Sequence, residues 1–206
     1  MKNIQKNIEL FDGFYVSRET FSKLKRYSKL ILEYNQKFNL IGKSTEDDIW
    51  QRHIIDSAQI AKFLTNKDAY IVDFGTGAGL PGMVLAILGY KNTILIDSIE
   101  KKINFTKLVK KELSIEADIR CTRLEDAVFP SSYILVSRAV GSLEKLITKN
   151  FLQLTKADFC VFLKGKKFLD EINDAKKISS FKYKTYPSIT SEESNIIIMN
   201  EVTWKQ

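Results

Sequence analysis

The chemistry in this chain concentrates in one loop, Asp73 to Gly82, which reads DFGTGAGLPG. Gly75, Gly77 and Gly79 let a backbone turn sharply and approach a ligand, because no Cβ stands between the amides and the bound group. Asp73 lies just ahead of the first glycine, where its carboxylate can meet a ligand's ammonium group, directly or through water. A second constellation, RHIIDS, sets Arg52 and Asp56 at i,i+4 and His53 and Asp56 at i,i+3. Arg138 and Lys164 each close a short apolar run. Only six arginines occur among 32 basic residues, so the place of Arg138 says more than that of any lysine.

Elements of two kinds must position these groups. Ser17 is a cap for a first helix carrying Phe21, Leu24, Ser28, Ile31, Tyr34 and Phe38 at helical spacing, with Ser28 as a polar lapse. Thr45 opens a second helix to about Leu64, where Glu46, Asp47 and Asp48 suit the positive end of the dipole. From Ala69 the pattern alternates. Strands end at Phe74, Asp97, Thr122, Ser137 and Lys164, with helices between them, and two final strands lie near Phe181–Tyr186 and Asn195–Val202. The reading is an α/β, Rossmann-like fold with a doubly wound sheet. Its seven-stranded sheet is mostly parallel with one antiparallel strand. Residues 1–66 form a helical cap and 67–206 the core of a single domain.

In open α/β sheets, ligands bind beyond the carboxyl ends of the strands where the strand order reverses, and the glycine loop is that place. Gly77, Gly79 and Gly82 also satisfy the dinucleotide GxGxxG pattern, so an NAD-dependent oxidoreductase is a competing reading. Two features favour S-adenosylmethionine. Asp73 stands where a pyrophosphate-binding loop more usually has an apolar residue, and the helical segment resembles a methyltransferase cap. Asp97 fits a ribose hydroxyl under either reading. After the third strand, Arg123 to Asp126 offer a backbone amide and an acidic side chain for an adenine edge.

Several blocks together resemble the small-subunit ribosomal RNA methyltransferase G family, also called glucose-inhibited division protein B. They are YNQKFNL, RHIIDS, DFGTGAGLPG, LIDSIEKK, TRLED, VSRAV and LKG, in order from Tyr34 to Gly165. The resemblance implies methylation of guanine N7 in 16S ribosomal RNA. It implies cofactor contacts at Gly75, Leu80, Leu124, Glu125 and Arg138, with Asp97 on the ribose. Arg52, His53 and Asp56 keep the family motif without an assigned role; mutual bracing on one helix and contact with RNA both remain open. Three positions depart from the family: Lys102 and Ser194 where arginine is usual, and Tyr133 where aspartate is common. A non-catalytic ribosome assembly factor is a further alternative.

The remaining composition agrees with that chemistry. Guanine N7 carries an unprotonated lone pair, so no general base is needed and positioning dominates. SRAV follows the fourth strand, with no Asn-Pro-Pro-aromatic group for exocyclic amines and no Pro-Cys nucleophile. Arg138 is the positioning candidate, on the base or on the cofactor, against a plain salt bridge. Lys164 is the second. Arg52, His53, Arg123, Lys164 and Lys166 are the candidate RNA contacts. The net charge of +7 suits a polyanion, with 16S ribosomal RNA or the assembling small subunit as the expected partner. One histidine and two cysteines without metal spacing exclude a zinc site; Cys121 and Cys160 read as buried free thiols. With no signal-peptide pattern and no apolar run of membrane length, the expectation is a cytoplasmic monomer.

Overall fold

The structure, a computed structural model, describes residues 7–138 and 141–205; Ala139 and Val140 of the SRAV block lie outside the described residues. The chain opens with an antiparallel hairpin, β1 (Ile8–Phe11) and β2 (Phe14–Val16). The sequence reading began its elements at Ser17 and missed it, although Asp12-Gly13 between apolar residues is a hairpin signal. Helix α1 (Arg18–Asn35) starts as expected, with Ser17 Oγ accepting from the Thr20 amide at 3.1 Å. Its buried face is not the expected stripe. Leu24, Ser28 and Ile31 are buried, but so are Tyr27 and Asn35, whereas Phe38 is exposed.

Both polar intruders have partners that sequence spacing does not reveal. Tyr27 donates to the Ala78 carbonyl at 2.6 Å, tying α1 to the glycine loop. Asn35 Oδ1 accepts from the amides of Leu40 and Ile41 and turns the chain after the helix. The expected helix from Thr45 is also displaced. A 3-10 turn covers Lys43–Thr45, and the helical stretch starts later, as a π-turn over Trp50–Ile55. It continues into α2 (Asp56–Ala58) and a 3-10 turn, Gln59–Phe63. Thr45 Oγ1 bonds the Gly42 carbonyl, a local turn that competes with helix initiation.

The sheet follows the expected order closely. Its strands are β3 (Ile71–Phe74), β4 (Thr93–Asp97), β5 (Asp118–Cys121), β6 (Ile134–Arg138), β7 (Phe159–Lys164), β8 (Ser179–Pro187) and β9 (Asn195–Trp204). In space they lie β5-β4-β3-β6-β7-β9-β8. β3 to β7 are mutually parallel, β9 runs against β7, and β8 pairs antiparallel with β9. One strand, β9, therefore opposes the rest. The order reverses between β3 and β6, which puts the glycine loop at the switch point.

Alternate strand residues serve two helical layers. Ile71, Leu95, Val136 and Val161 pack with α1, α3 (Gly82–Ile87) and α4 (Glu100–Leu113). Val72, Ile94, Leu135, Cys160 and Phe162 pack with α5 (Leu143–Lys156) and α6 (Phe168–Ile178). Among the described residues no helix is long and apolar enough to cross a membrane, and no group of three metal-binding side chains forms. Cys160 is buried as expected, and burial pushes its thiol up. Cys121 is not: it ends the edge strand β5 exposed, a position the apolar reading of that strand overlooked.

Tyr27→Phe removes one hydroxyl and leaves the buried Ala78 carbonyl unpaired. The expected loss is about 1–3 kcal/mol of folding stability, read from urea denaturation midpoints.

Candidate active site

The loop after β3 is wired internally before it holds anything. Asp73 is fully buried. Its Oδ2 accepts from the Gly82 amide at 2.7 Å and the Thr76 hydroxyl at 2.5 Å, while Oδ1 is buried without a hydrogen-bond partner among the described residues. Burial pushes this carboxyl up to about 7, against the opposing pull of these hydrogen bonds and of Arg138. Gly82 is required here, because a Cβ would sit 2.7 Å from Asp73 Oδ2. Gly79 is required more strongly: at φ +97° its Cβ would fall 2.8 Å from the Tyr27 hydroxyl.

Gly75 and Gly77 face the other way. Both have positive φ, and a Cβ on Gly77 would meet only the Gly75 carbonyl at 3.9 Å, so the space above is open. Beside Gly75 lies a groove of about 240 Å³ between the ends of β3 and β4 and helix α5. Phe74, Gly75, Asp97, Leu124 and Glu125 line it. Asp97 takes the Gly77 amide on Oδ2 and the Ile99 amide on Oδ1, both at 2.9 Å, with lone pairs to spare. Leu124 is buried as an apolar wall, while Glu125 and Arg123 are exposed and 3.9 Å apart. An open loop backbone, a fixed carboxylate and an apolar wall fit the nucleoside of S-adenosylmethionine. Leu80 is buried beneath the loop, in the core rather than among the groove's lining residues.

A second cleft, of about 490 Å³, opens beside the first, and both are lined by Gly141. Arg138, at the end of β6, spans its floor. The guanidinium donates to the Arg52 carbonyl at 2.8 Å and to His53 Nδ1 at 2.7 Å, and stands 3.5 Å from Asp56 Oδ2. Arginine has no acceptor, so Nδ1 of His53 must be the bare nitrogen. Its proton therefore sits on Nε2, 2.7 Å from Thr45 Oγ1, which in turn donates to Gly42. Burial first, then Arg138 and Arg52, hold this imidazole down at about 3, so it is neutral.

Of the two open readings of RHIIDS, bracing along one helix is not what the side chains do. His53 Nδ1 and Asp56 Oδ2 both face Arg138, 85 and 82 residues away in sequence. Arg52 joins through its backbone, leaving its exposed side chain on the rim of the cleft. Asp56 Oδ1 also holds the β8–β9 loop, through Thr190 at 2.9 Å and more distantly Ser188, with Gln59 alongside.

Lys164, expected to meet phosphate or base, is buried at the end of β7. Its ammonium binds the Gly141 carbonyl at 2.7 Å and Glu171 Oε2 at 2.8 Å. Lys166 is exposed and pairs with Glu193. Of the departures, Ser194 lines the cleft, but Tyr133 is buried at the start of β6, the opposite end from Arg138, and donates to Gln153. Its change from aspartate thus concerns packing and not substrate. Tyr27, Gln59 and Thr190 were missed because each acts on a partner far off in sequence, and Glu171 because its partners, Lys164 and the Leu143 amide, lie on other elements.

The fold and the groove define a Rossmann-like, S-adenosylmethionine-dependent methyltransferase. Magnesium protoporphyrin IX methyltransferase from Synechocystis, solved with its S-adenosylmethionine, superposes with a TM-score of 0.60 at 14% identity. The match covers 87% of this chain and 97% of that one. A ribosomal protein L11 methylase from Lactobacillus delbrueckii gives 0.55 at 15% identity, covering 81% of each chain. Residues 20–197 match the family described as rRNA small subunit methyltransferase G, and the chain belongs to that family. The Orientia tsutsugamushi (strain Ikeda) ribosomal RNA small subunit methyltransferase G is 37% identical over 90% of this chain and 92% of its own. That of Rhodospirillum centenum is 34% identical over 92% and 88%. Family membership sets aside the dinucleotide reading.

A neutral, buried His53 has a pH signature. The unfolded chain binds a proton near pH 6.5 that the folded chain refuses until about 3, so this residue's contribution falls away as pH drops through that window. Asp73 acts in the opposite sense: raised from 3.8 to about 7, it favours the folded state at low pH and loses that contribution as pH rises. The two are separated by His53→Gln, which keeps hydrogen-bonding capacity and cannot titrate. The stability difference between wild type and His53→Gln should grow from about pH 4.5 to about pH 6.5 in urea titrations. A flat difference would mean that His53 is protonated where it stands.

Proposed function

We propose that this protein methylates N7 of a guanine in 16S ribosomal RNA, on naked RNA or on the assembling small subunit. The observation that carries the reading is the meeting of a nucleoside-sized groove and a polar cleft at Gly141, with Arg138 held in the cleft. When bound, S-adenosylmethionine supplies a methyl group on a positively charged sulfur. The N7 lone pair forms the new carbon–nitrogen bond as the carbon–sulfur bond breaks, and no proton moves in that step. The cleft agrees: His53 has one nitrogen occupied by Arg138 and its proton directed at Thr45, so it serves as a strut and not as a base.

Arg138 is the positioning group under this reading. Its side chain is 17% exposed, so an unused N–H can reach an oxygen acceptor such as guanine O6 beside N7. A base reaching the cleft has to leave its stack, as for other enzymes that act on bases. The rim side chain of Arg52, together with the chain's charge of +7, supports a polyanionic partner.

The test is methylation of 16S RNA from cells lacking the gene, with the product mapped as 7-methylguanosine; no incorporation would overturn the reading. Arg138→Ala should lower kcat/KM by at least about a hundredfold. Arg138→Lys should recover little of it, because the planar fork is lost. S-adenosylhomocysteine affinity, measured alongside, separates an effect on the base from one on the cofactor.

A further inference from the structure

The cleft contains two carboxylates, Asp56 and Glu171, and they are not equivalent. Both oxygens of Asp56 are engaged, one by Gln59 and Thr190 and the other by Arg138. Glu171, in the first turn of α6, is engaged on one side alone. Its Oε2 accepts from Lys164 Nζ at 2.8 Å and from the Leu143 amide at 3.0 Å, the first N–H of α5. Oε1 accepts from none of the described residues, and the side chain, 22% exposed, lines the cleft. The Lys164 ammonium and the Leu143 amide, two donors on one oxygen, fix the direction of the carboxylate.

We propose that Glu171 is the residue that reads the substrate base, with Oε1 accepting from the N1–H and N2 amino group of guanine. This rests on the proposed methylation of guanine. A guanine that turns N7 and O6 toward the methyl donor and Arg138 carries its N1–H and N2 donors on the edge leading away from them. An ionised carboxylate only accepts, so it matches that edge. Adenine offers an acceptor at N1 and a carbon-bound hydrogen at C2, and is refused. Lys164 and Gly141 connect the reader to the reaction: the same ammonium that holds Glu171 holds the carbonyl at the junction of the two sites.

The experiment compares two synthetic RNAs, carrying guanosine or inosine at the mapped target position. Inosine lacks only the N2 amino group. Wild type should favour guanosine by about tenfold to a hundredfold in kcat/KM, the loss of one hydrogen bond to a charged group. In Glu171→Gln, Lys164 and the Leu143 amide demand the amide oxygen, which turns the NH2 toward the base as a donor facing a donor. The guanosine preference should then collapse to about one while S-adenosylhomocysteine affinity is unchanged. If that variant loses S-adenosylhomocysteine binding, the paired substitution Lys164→Met with Glu171→Met removes the ion pair as a unit, and the same collapse is expected. Equal use of guanosine and inosine by wild type, or an undiminished preference in a variant that still binds S-adenosylhomocysteine, would overturn the assignment. Methylation of neither RNA by wild type would strike instead at the methyl-transfer reading on which it rests.

Discussion

The guanidinium of Arg138 joins the sheet to the helical segment that precedes it. It sits at the last residue of β6, on the sheet, and its bonds run to the Arg52 carbonyl and His53 Nδ1 in the helical segment ahead of the sheet. Asp56 then carries the connection onward to Thr190, between β8 and β9. One cation therefore sets the spacing of three walls of the cleft. The neutral state of His53 is part of this arrangement, since a protonated ring would place a positive charge and a second donor against arginine. Arg138 on Nδ1 and Thr45 on Nε2 keep the strut in one tautomer.

The glycine loop shows a second division of labour. Asp73 and Asp97 both lie at the carboxyl ends of strands, Asp73 one residue before the end of β3 and Asp97 at the end of β4, yet their surroundings separate them. Asp73 is sealed under the loop, where Gly82 and Thr76 use it to set the backbone path. Asp97 is close to the surface of the groove, where it steadies Gly77 and faces the space a ligand would take. The same side chain type shapes the loop in one place and presents hydrogen-bond acceptors to the groove in the other.

Much of this was legible before any coordinates. The strand ends at Phe74, Asp97 and Lys164 match, because alternating and continuous apolar runs report burial directly. The antiparallel β9 followed from the short turn between the last two strands. The glycine loop was legible because positive φ demands a residue type that composition displays. What stayed hidden was polar and non-local. Spacing on a helix made Arg52, His53 and Asp56 look like partners of one another; only the approach of β6 shows that their common partner is Arg138. Lys164 looked free for the same reason, since Glu171 lies on the next element and Gly141 lies before the preceding helix. Tyr27 and Asn35 were passed over because a stripe is counted in apolar residues, while their buried tips satisfy backbone groups.

The outermost strand has a consequence for how the molecule behaves among its own copies. β8 runs for nine residues along the open margin of the sheet, long enough to template another strand. Lys182 and Lys184 project there, both exposed, and Pro187 closes it without an amide hydrogen. Lys182 is paired with Glu201 of β9, so a strand added here would meet charged side chains along the margin. The margin thus carries two lysines and a ring without an amide hydrogen, features that discourage a second sheet from adding edge to edge.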